Sequence, residues 1–349
     1  MSEPTTVPSA EPLTPVLREE GDASRRSWIS RLLASGVGRN LGLVIALLVL
    51  FGIGAITAGD RFTNFENVLT IIRFASIIGV LSVGMTFVII GGGIDLSVGS
   101  VMGLGSVVAT LSTVQALAGQ NMWIIMVVVA IAVGTLAGIV NGIVISYGNV
   151  VAFMATLAML VAARGLAEIL SHRTTQIVRS QSFIEFFREN LLGIPVLIWI
   201  FIIVAVLGWI LLNRTTFGRR TVAIGGNREA ARLAGLKVKR HTVYIYALSG
   251  LTAGIAAVMI VGRTTAGTST HGTLYELDAI AAVVVGGTLL IGGRGTIVGT
   301  VFGVLIFATL TNIFTQNNLD TSVQALAKGA IIVLAVLLQQ RFASRGKRR

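Results

Sequence analysis

Long apolar runs, separated by short polar segments, fill most of the chain from position 41 onward. The runs predict helices at about 41–58, 75–91, 97–117, 122–146, 150–170, 194–213, 242–262, 276–291, 295–315 and 323–340. A helix needs about 20 mostly apolar residues to cross the hydrocarbon core of a bilayer. The pattern therefore predicts an all-α polytopic membrane protein with about ten transmembrane helices within residues 41–340.

The overall composition agrees with this fold class. Of the 349 residues, 54% are hydrophobic and 12% are charged, whereas about a quarter of the residues in soluble domains are charged. The chain has no cysteine, which excludes disulfides and thiolate metal sites. Residues 1–40 differ from the rest, because they hold four of the five prolines and several acids. This composition predicts a disordered tail.

Basic residues are concentrated in three segments. Residues 1–40, 214–240 and 341–349 hold 18 of the 27 Lys and Arg residues. Because cytoplasmic loops of membrane proteins are enriched in Lys and Arg, we expect both termini and the loop 214–241 to be cytoplasmic. Six predicted helices then precede this loop and four follow it. This topology accounts for the net charge of +12 without a nucleic-acid partner.

The stretch 75–113 is too long for one helix that spans a membrane. As a continuous helix it would measure nearly 60 Å, about twice the hydrocarbon thickness. The sequence predicts a break at Gly91, Gly92 and Gly93. After the break, Asp95 or Ser97 can cap the next helix. Asp95 is the only Asp, Glu, Lys, Arg or His between 75 and 163, so it is either a structural cap or a group that lines a polar cavity.

A second glycine-rich stretch, at 283–300, predicts another break at Gly292 and Gly293. Gly91, Gly99 and Gly103 precede Gly287, Gly295 and Gly299 by 196 positions each. Segments 84–107 and 280–303 are therefore either an internal repeat or two helix breaks that share glycines by chance.

The loop 214–241 contains one short predicted helix. Asn227 is suited to begin it, Glu229 lies in its first turn, and Gly235 is suited to end it. A helix of about two turns is unstable in isolation, so it has to pack on something. It either docks in a groove of a partner or lies on anionic lipid.

No catalytic or metal-binding constellation is present in the sequence. The phosphate-binding motif G-x-x-x-x-G-K-[ST] does not occur. His172, His241 and His271 lack the spacing of metal ligands. We therefore expect a protein that is not an enzyme and that binds no metal or cofactor itself. Energy for uphill transport then comes from an ion gradient or from another chain.

Five stretches carry a family resemblance. They are GMTFVIIGGGIDLSVGSVMGLGSV (84–107), GIVNGIVI (138–145), ATLAMLVAARGLA (155–167), AIGGNREAARLAGLKV (223–238) and YELDAIAAVVVGGTLLIGGRGTIVGT (275–300). They resemble the permease subunit of ribose/xylose/arabinose/galactose-type sugar importers of the ATP-binding-cassette (ABC) class. The resemblance covers about residues 40–340.

The resemblance implies a homodimer in the bacterial inner membrane. Two ABC ATPase subunits, which bind ATP and Mg²⁺, would dock below it, and a substrate-binding protein would deliver a pentose or hexose from outside. The segment EAARLAG is similar to the E-A-A-x-x-x-G element with which such permeases contact their ATPase. The implied coupling residues are Gly225, Gly226, Asn227, Glu229, Ala230, Ala231, Ala234 and Gly235. The alternative hypothesis is an ion-coupled secondary carrier for a small polar solute, with Asp95 as its ion site.

Other polar residues in the apolar helices are candidates for the translocation pathway. They are Asp95, Ser97, Asn141, Thr86, Thr110 and Asn312. Each either faces the pathway or makes a helix–helix hydrogen bond. Arg164 and Glu168 are four positions apart and share a helix face. They form either an ion pair at the outer rim or a contact with the substrate-binding protein.

Overall fold

The computed structural model describes residues 36–119 and 122–346. Its helices in the first half are α1 (Gly36–Ala58), α2 (Asp60–Thr63), α3 (Phe65–Ile90), α4 (Val98–Thr110), α5 (Ser112–Ala118), α6 (Ile124–Ser146) and α7 (Ala152–Ser171). The second half contains α8 (Gln181–Arg188), α9 (Val196–Arg214), α10 (Thr216–Gly226), α11 (Arg228–Leu233), α12 (Val238–Thr264), α13 (Tyr275–Val285), α14 (Ile297–Gln316) and α15 (Thr321–Gly346). Two short antiparallel pairs accompany them, β1 (Gln176–Ile177) with β4 (Ala266–Gly267), and β2 (Asn190–Leu191) with β3 (Ile194–Pro195).

The helices confirm an all-α polytopic membrane protein. Within the described residues, seven helices are long and apolar enough to span a bilayer, namely α1, α3, α6, α7, α9, α12 and α14. Helices α4 and α5 are bent by 58° relative to each other and make an eighth candidate when taken together. The predicted count of ten helices therefore stays a prediction.

Several predicted boundaries are wrong, for local reasons. Helix α3 begins at Phe65 instead of 75, because the Asn64 side chain caps it by accepting the Glu66 N–H at 2.9 Å. The helix predicted at 97–117 bends at Leu111. The helix predicted at 276–291 already ends at Val285, since Gly287 has a positive φ of 89°.

The predicted tails lie mostly outside the described residues. Of the predicted disordered segment 1–40, only 36–40 are described, and they belong to α1. Of the predicted basic tail 341–349, residues 341–346 continue α15.

Helices α12 and α3 form the centre of the molecule, and most of their side chains are buried. Helix α6 lies against α12 along a row of small residues. A Cβ added to Gly134, Gly138 or Gly142 of α6 would meet the backbone of α12. Helix association in membranes depends on such close packing of small residues. The glycines of α6 therefore set the distance between these two helices.

Two broken segments cross this core. In the first, the 26-residue helix α3 precedes the 13-residue helix α4. In the second, the 11-residue helix α13 precedes the 20-residue helix α14. Both predicted breaks are present, but the long and short helices occur in opposite order. Segments 84–107 and 280–303 therefore share glycines at a helix break, but the helices on either side of the two breaks do not repeat in length.

Candidate functional site

The loop 214–241 folds as predicted around its short helix. Asn227 accepts the N–H of Ala230 at 2.9 Å and caps α11. Gly235 has a φ of 82°, a conformation that ends helices and favours glycine. Helix α10 precedes this cap, although the predicted helices include none between 213 and 227. We call the end of the helix bundle that carries residues 214–241 the basic face.

One side of α11 packs on the protein and the other side is open. Ala231 is buried against Ile224 and Val238. Leu233 is 75% exposed, and Ala230 and Ala234 are also exposed. The three alanines therefore do not share one face of α11. Ala231 packs against the protein, while Ala230 and Ala234 are exposed.

Glu229 lies on the exposed side of α11 in an ion pair with Arg232. The hydrogen bonds that the Arg232 guanidinium donates lower the pKa of Glu229. Both side chains of the pair are exposed to solvent, and exposed ion pairs contribute little to the stability of a protein. Its charges therefore remain available to a partner.

Glycines bring the basic face into contact with both broken segments. The N–H of Gly293 donates to the carbonyl of Ile90 at 2.8 Å. A Cβ on Gly225 would overlap that same carbonyl and would lie 2.8 Å from the Gly293 nitrogen. A Cβ on Gly292 would lie 3.0 Å from the Cα of Gly92. The predicted breaks and the predicted coupling loop thus meet at one place. We call this place the glycine junction, formed by Gly92, Gly225, Gly292 and Gly293.

A cleft of about 380 Å³ opens beside the glycine junction. The three glycines at 91–93 and the connection between α6 and α7 at 149–152 line it, together with Arg228, Thr242 and Tyr246. It borders directly on the first helix break. Its position makes it the candidate mouth of a pathway at the basic face.

Asp95 is the centre of a buried hydrogen-bond network. Its side chain is 1% exposed. One carboxylate oxygen accepts the N–H of Ser97 at 2.9 Å and its hydroxyl at 2.6 Å, and the other accepts the hydroxyl of Ser249 at 2.8 Å. Asn141 donates to the Ser97 hydroxyl at 2.9 Å. The side chain of Ser97 makes no cap hydrogen bond in α4, so the predicted cap is not formed by it. The network instead joins the start of α4 to α6 and α12, which favours a structural role for Asp95, Ser97 and Asn141.

We expect Asp95→Ala to destabilise the protein by about 1–3 kcal/mol per donor left buried without an acceptor. Thermal unfolding of the purified protein in detergent measures this loss. Asp95→Asn is the matched control, because it keeps one oxygen for Ser97 and should lose less stability. A normally stable Asp95→Asn protein that transports nothing would contradict the structural interpretation, since only the charge would have been removed.

The other pathway candidates pair with neighbouring helices or with their own helix. The hydroxyl of Thr86 lies 2.7 Å from that of Thr300 on α14. Asn312 donates to Asn67 at 2.8 Å, and Asn67 donates back at 3.0 Å. Thr110 donates to a carbonyl of its own helix at 2.8 Å. The bonds of Thr86 and Asn312 agree with the helix-packing interpretation, whereas the bond of Thr110 stays within its own helix and supports neither interpretation.

Arg164 and Glu168 do not form the predicted ion pair with each other. Arg164 donates to the carbonyls of Ser269 and His271, with 2.8 Å to the latter. Glu168 pairs with Arg173 at 3.2 Å. Arg164 therefore ties α7 to the segment between β4 and α13, and only Glu168 and its partner are left near the surface.

Sequence analysis missed an ion pair inside the helix packing. Lys328 of α15 lies 3.1 Å from Asp278 of α13, and the two side chains are 21% and 12% exposed. The available signal was the acids Glu276 and Asp278 in the apolar run 276–291 and the single base Lys328 in the run 323–340. Among residues 36–119 and 122–346, no group of three or more His, Cys, Asp or Glu side chains could hold a metal ion.

Broken helices, a glycine junction and an exposed short helix on a multi-pass α-helical scaffold are features of a membrane permease. The family model described as "Branched-chain amino acid transport system / permease component" matches residues 67–336. The chain belongs to this family of permease components.

Named relatives align over nearly the whole chain. The ribose import permease protein of Bacillus subtilis (strain 168) is 40% identical over 89% of this chain and 96% of the relative. The ribose import permease protein of Escherichia coli (strain K12) is 38% identical over 85% of this chain and 92% of the relative. The L-arabinose ABC transporter permease protein of Azospirillum brasilense is 37% identical over 86% of this chain and 87% of the relative. No solved structure matches the chain.

Proposed function

We propose that this protein is the permease subunit of an ATP-driven importer of a monosaccharide, a pentose or hexose, in the bacterial inner membrane. The observation that carries the proposal is the 40% identity to a ribose import permease over 96% of that relative. The family description names amino acids, whereas these relatives are named for ribose and L-arabinose. A neutral sugar needs no charged partner along the pathway, which fits an Asp95 carboxylate already held by Ser97 and Ser249.

We further propose that the basic face is cytoplasmic and that α11 docks into an ABC ATPase subunit. Three observations support this docking. Leu233 is exposed on a helix too short to be stable alone, the Glu229–Arg232 pair is solvated, and the glycine junction connects the loop to both breaks. The working assembly would contain a second permease copy and a substrate-binding protein on the other side. ATP and Mg²⁺ would bind to the ATPase, and this chain would hold no cofactor.

Uptake of labelled solutes tests the proposed function. Cells with the native ATPase and binding protein should take up D-ribose or L-arabinose only when the full chain is present. Uptake should survive a protonophore at constant ATP and stop when ATP is depleted. Loss of leucine uptake on deletion of the chain would identify an amino-acid permease instead. Sugar uptake that collapses with the protonophore at constant ATP would identify an ion-coupled carrier.

Charge reversal on α11 tests the docking surface. We expect Glu229→Arg to reduce the amount of ATPase that co-purifies with the full chain by about tenfold or more. The positive charge of the new arginine would repel the surface of the ATPase that the negative Glu229 is proposed to contact. Glu189→Arg is the matched control. It is an exposed glutamate that directly follows α8 and lies beside the first residue of α9, at the end of α9 away from the loop 214–241, and it should leave co-purification unchanged. Equal losses in both variants, or none in Glu229→Arg, would contradict docking through α11.

A further inference from the structure

A second cleft at the basic face lies beside α11, between α10 and the start of α12. It encloses about 510 Å³. Three cationic side chains line it, Arg220, Lys237 and Arg240, and no acidic side chain does among the described residues of its lining. The only acid within 214–241 is Glu229, which pairs with Arg232 and lies outside the cleft. The cleft is therefore a cationic recess whose charges lack a counter-charge from this loop.

The floor and walls of the cleft are fixed by packing. His241 is buried, lies 2.8 Å from the Thr221 hydroxyl, and packs against the Phe217 ring at 4.6 Å between centroids. Phe217 and Leu236 add apolar surface to the lining. A ligand that fills this cleft thus meets both positive charge and apolar surface. A free inorganic anion would use only the first of these surfaces.

Aromatic residues accompany the basic side chains in and around the cleft. The Arg240 guanidinium lies 5.5 Å from the Tyr244 ring, and Lys239 lies 5.6 Å from the Tyr147 ring. Arg214, at the end of α9, lies 5.5 Å from the Trp209 ring. Tyr and Trp are enriched at membrane–water interfaces, and basic residues there attract anionic lipids.

We infer that this cleft binds the phosphate group of an anionic phospholipid. Arg220, Lys237 and Arg240 bind the phosphate, and Phe217 and Leu236 contact the adjoining glycerol and acyl carbons. The lipid would then bridge α10 and α12 on either side of α11. This role is separate from transport and from docking of the ATPase.

Binding of phosphatidylglycerol to the full-length protein in detergent, measured by native mass spectrometry, tests the inference. Phosphatidylcholine and inorganic phosphate serve as comparison ligands. The triple variant Arg220→Gln, Lys237→Gln, Arg240→Gln should bind phosphatidylglycerol about 100-fold more weakly, since each basic residue contributes about fivefold. The control variant Arg214→Gln, Arg219→Gln, Lys239→Gln removes the same charge outside the cleft and should bind normally.

Four results would overturn the inference. An equal loss in the control variant would indicate diffuse attraction to the basic face. Equal binding of phosphatidylcholine would exclude selection for an anionic lipid, and equal binding of inorganic phosphate would exclude the lipid as the source of the phosphate. A triple variant that keeps its lipid but loses the co-purifying ATPase would assign the cleft to the protein interface. The inference is supported only by selective binding of phosphatidylglycerol that depends on the three cleft residues.

Discussion

The substitution Gly225→Ala is expected to abolish most transport while the protein still inserts into the membrane. A Cβ at this position would overlap the carbonyl oxygen of Ile90 and approach the nitrogen of Gly293. Both atoms belong to backbone, so no side chain can rotate away, and the junction has to open. Overpacking of this kind costs about 1–3 kcal/mol. We expect a lower apparent Tm in detergent and a larger proportional loss in ATP-dependent sugar uptake.

The neighbouring glycine provides a matched control. Nothing lies within 4 Å of a Cβ built on Gly226, and its φ is not in the left-handed region. Gly226→Ala carries the same chemical change in the same helix and should leave both the apparent Tm and uptake near the parental values. Equal behaviour of the two alanine variants would contradict the close approach of α10 to the two breaks.

The larger loss in uptake is expected because the glycine junction connects the loop 214–241 to the end of α3 and to the second break, and these three parts move together in the proposed mechanism. Gly293 bonds to the last residue of α3, and Gly225 fits against the same carbonyl. A displacement of α11 by a docked ATPase would therefore reach the end of α3 and the second break without a flexible linker. Loosening this contact separates ATP hydrolysis from helix movement, even in a protein that stays folded.

The predictions that local chemistry governs are confirmed. Apolar runs of membrane length became helices at 124–146, 152–171, 196–214 and 297–316, since every backbone polar group in a bilayer has to be satisfied within the segment. Asn227 caps α11 and Gly235 ends it. These features depend on residues that are close in the sequence, so the sequence is sufficient to predict them.

The predictions that depended on distant partners were less complete. Arg164 was expected to pair with Glu168 one turn away, but it reaches carbonyls more than a hundred positions along the chain. Asn67 and Asn312 pair across 245 positions. The meeting of Gly92, Gly225 and Gly292 likewise depends on how three segments pack. Spacing within one helix gives no information on which of these contacts forms.

The ion pair between Asp278 and Lys328 gives the second large expected effect. We expect Lys328→Met to destabilise the protein by about 3–5 kcal/mol, because it leaves an uncompensated carboxylate between packed helices. The Asp278 side chain is 12% exposed and its partner nitrogen lies 3.1 Å away, so water cannot replace the lost ammonium group. Thermal unfolding in detergent, followed by tryptophan fluorescence, measures the loss.

The double variant Asp278→Leu, Lys328→Met is the control that separates charge from packing. Removing both charges of a buried pair is often neutral or stabilising, because neither ion then has to be desolvated. The double variant should therefore recover most of the stability that Lys328→Met loses, which gives a large interaction energy in the double-mutant cycle. If the two losses simply add, the residues do not pair, and α15 is held against α13 by apolar contacts alone. Recovery would show instead that Asp278 and Lys328 stabilise the packing only as a pair, so that neither tolerates replacement while the other remains.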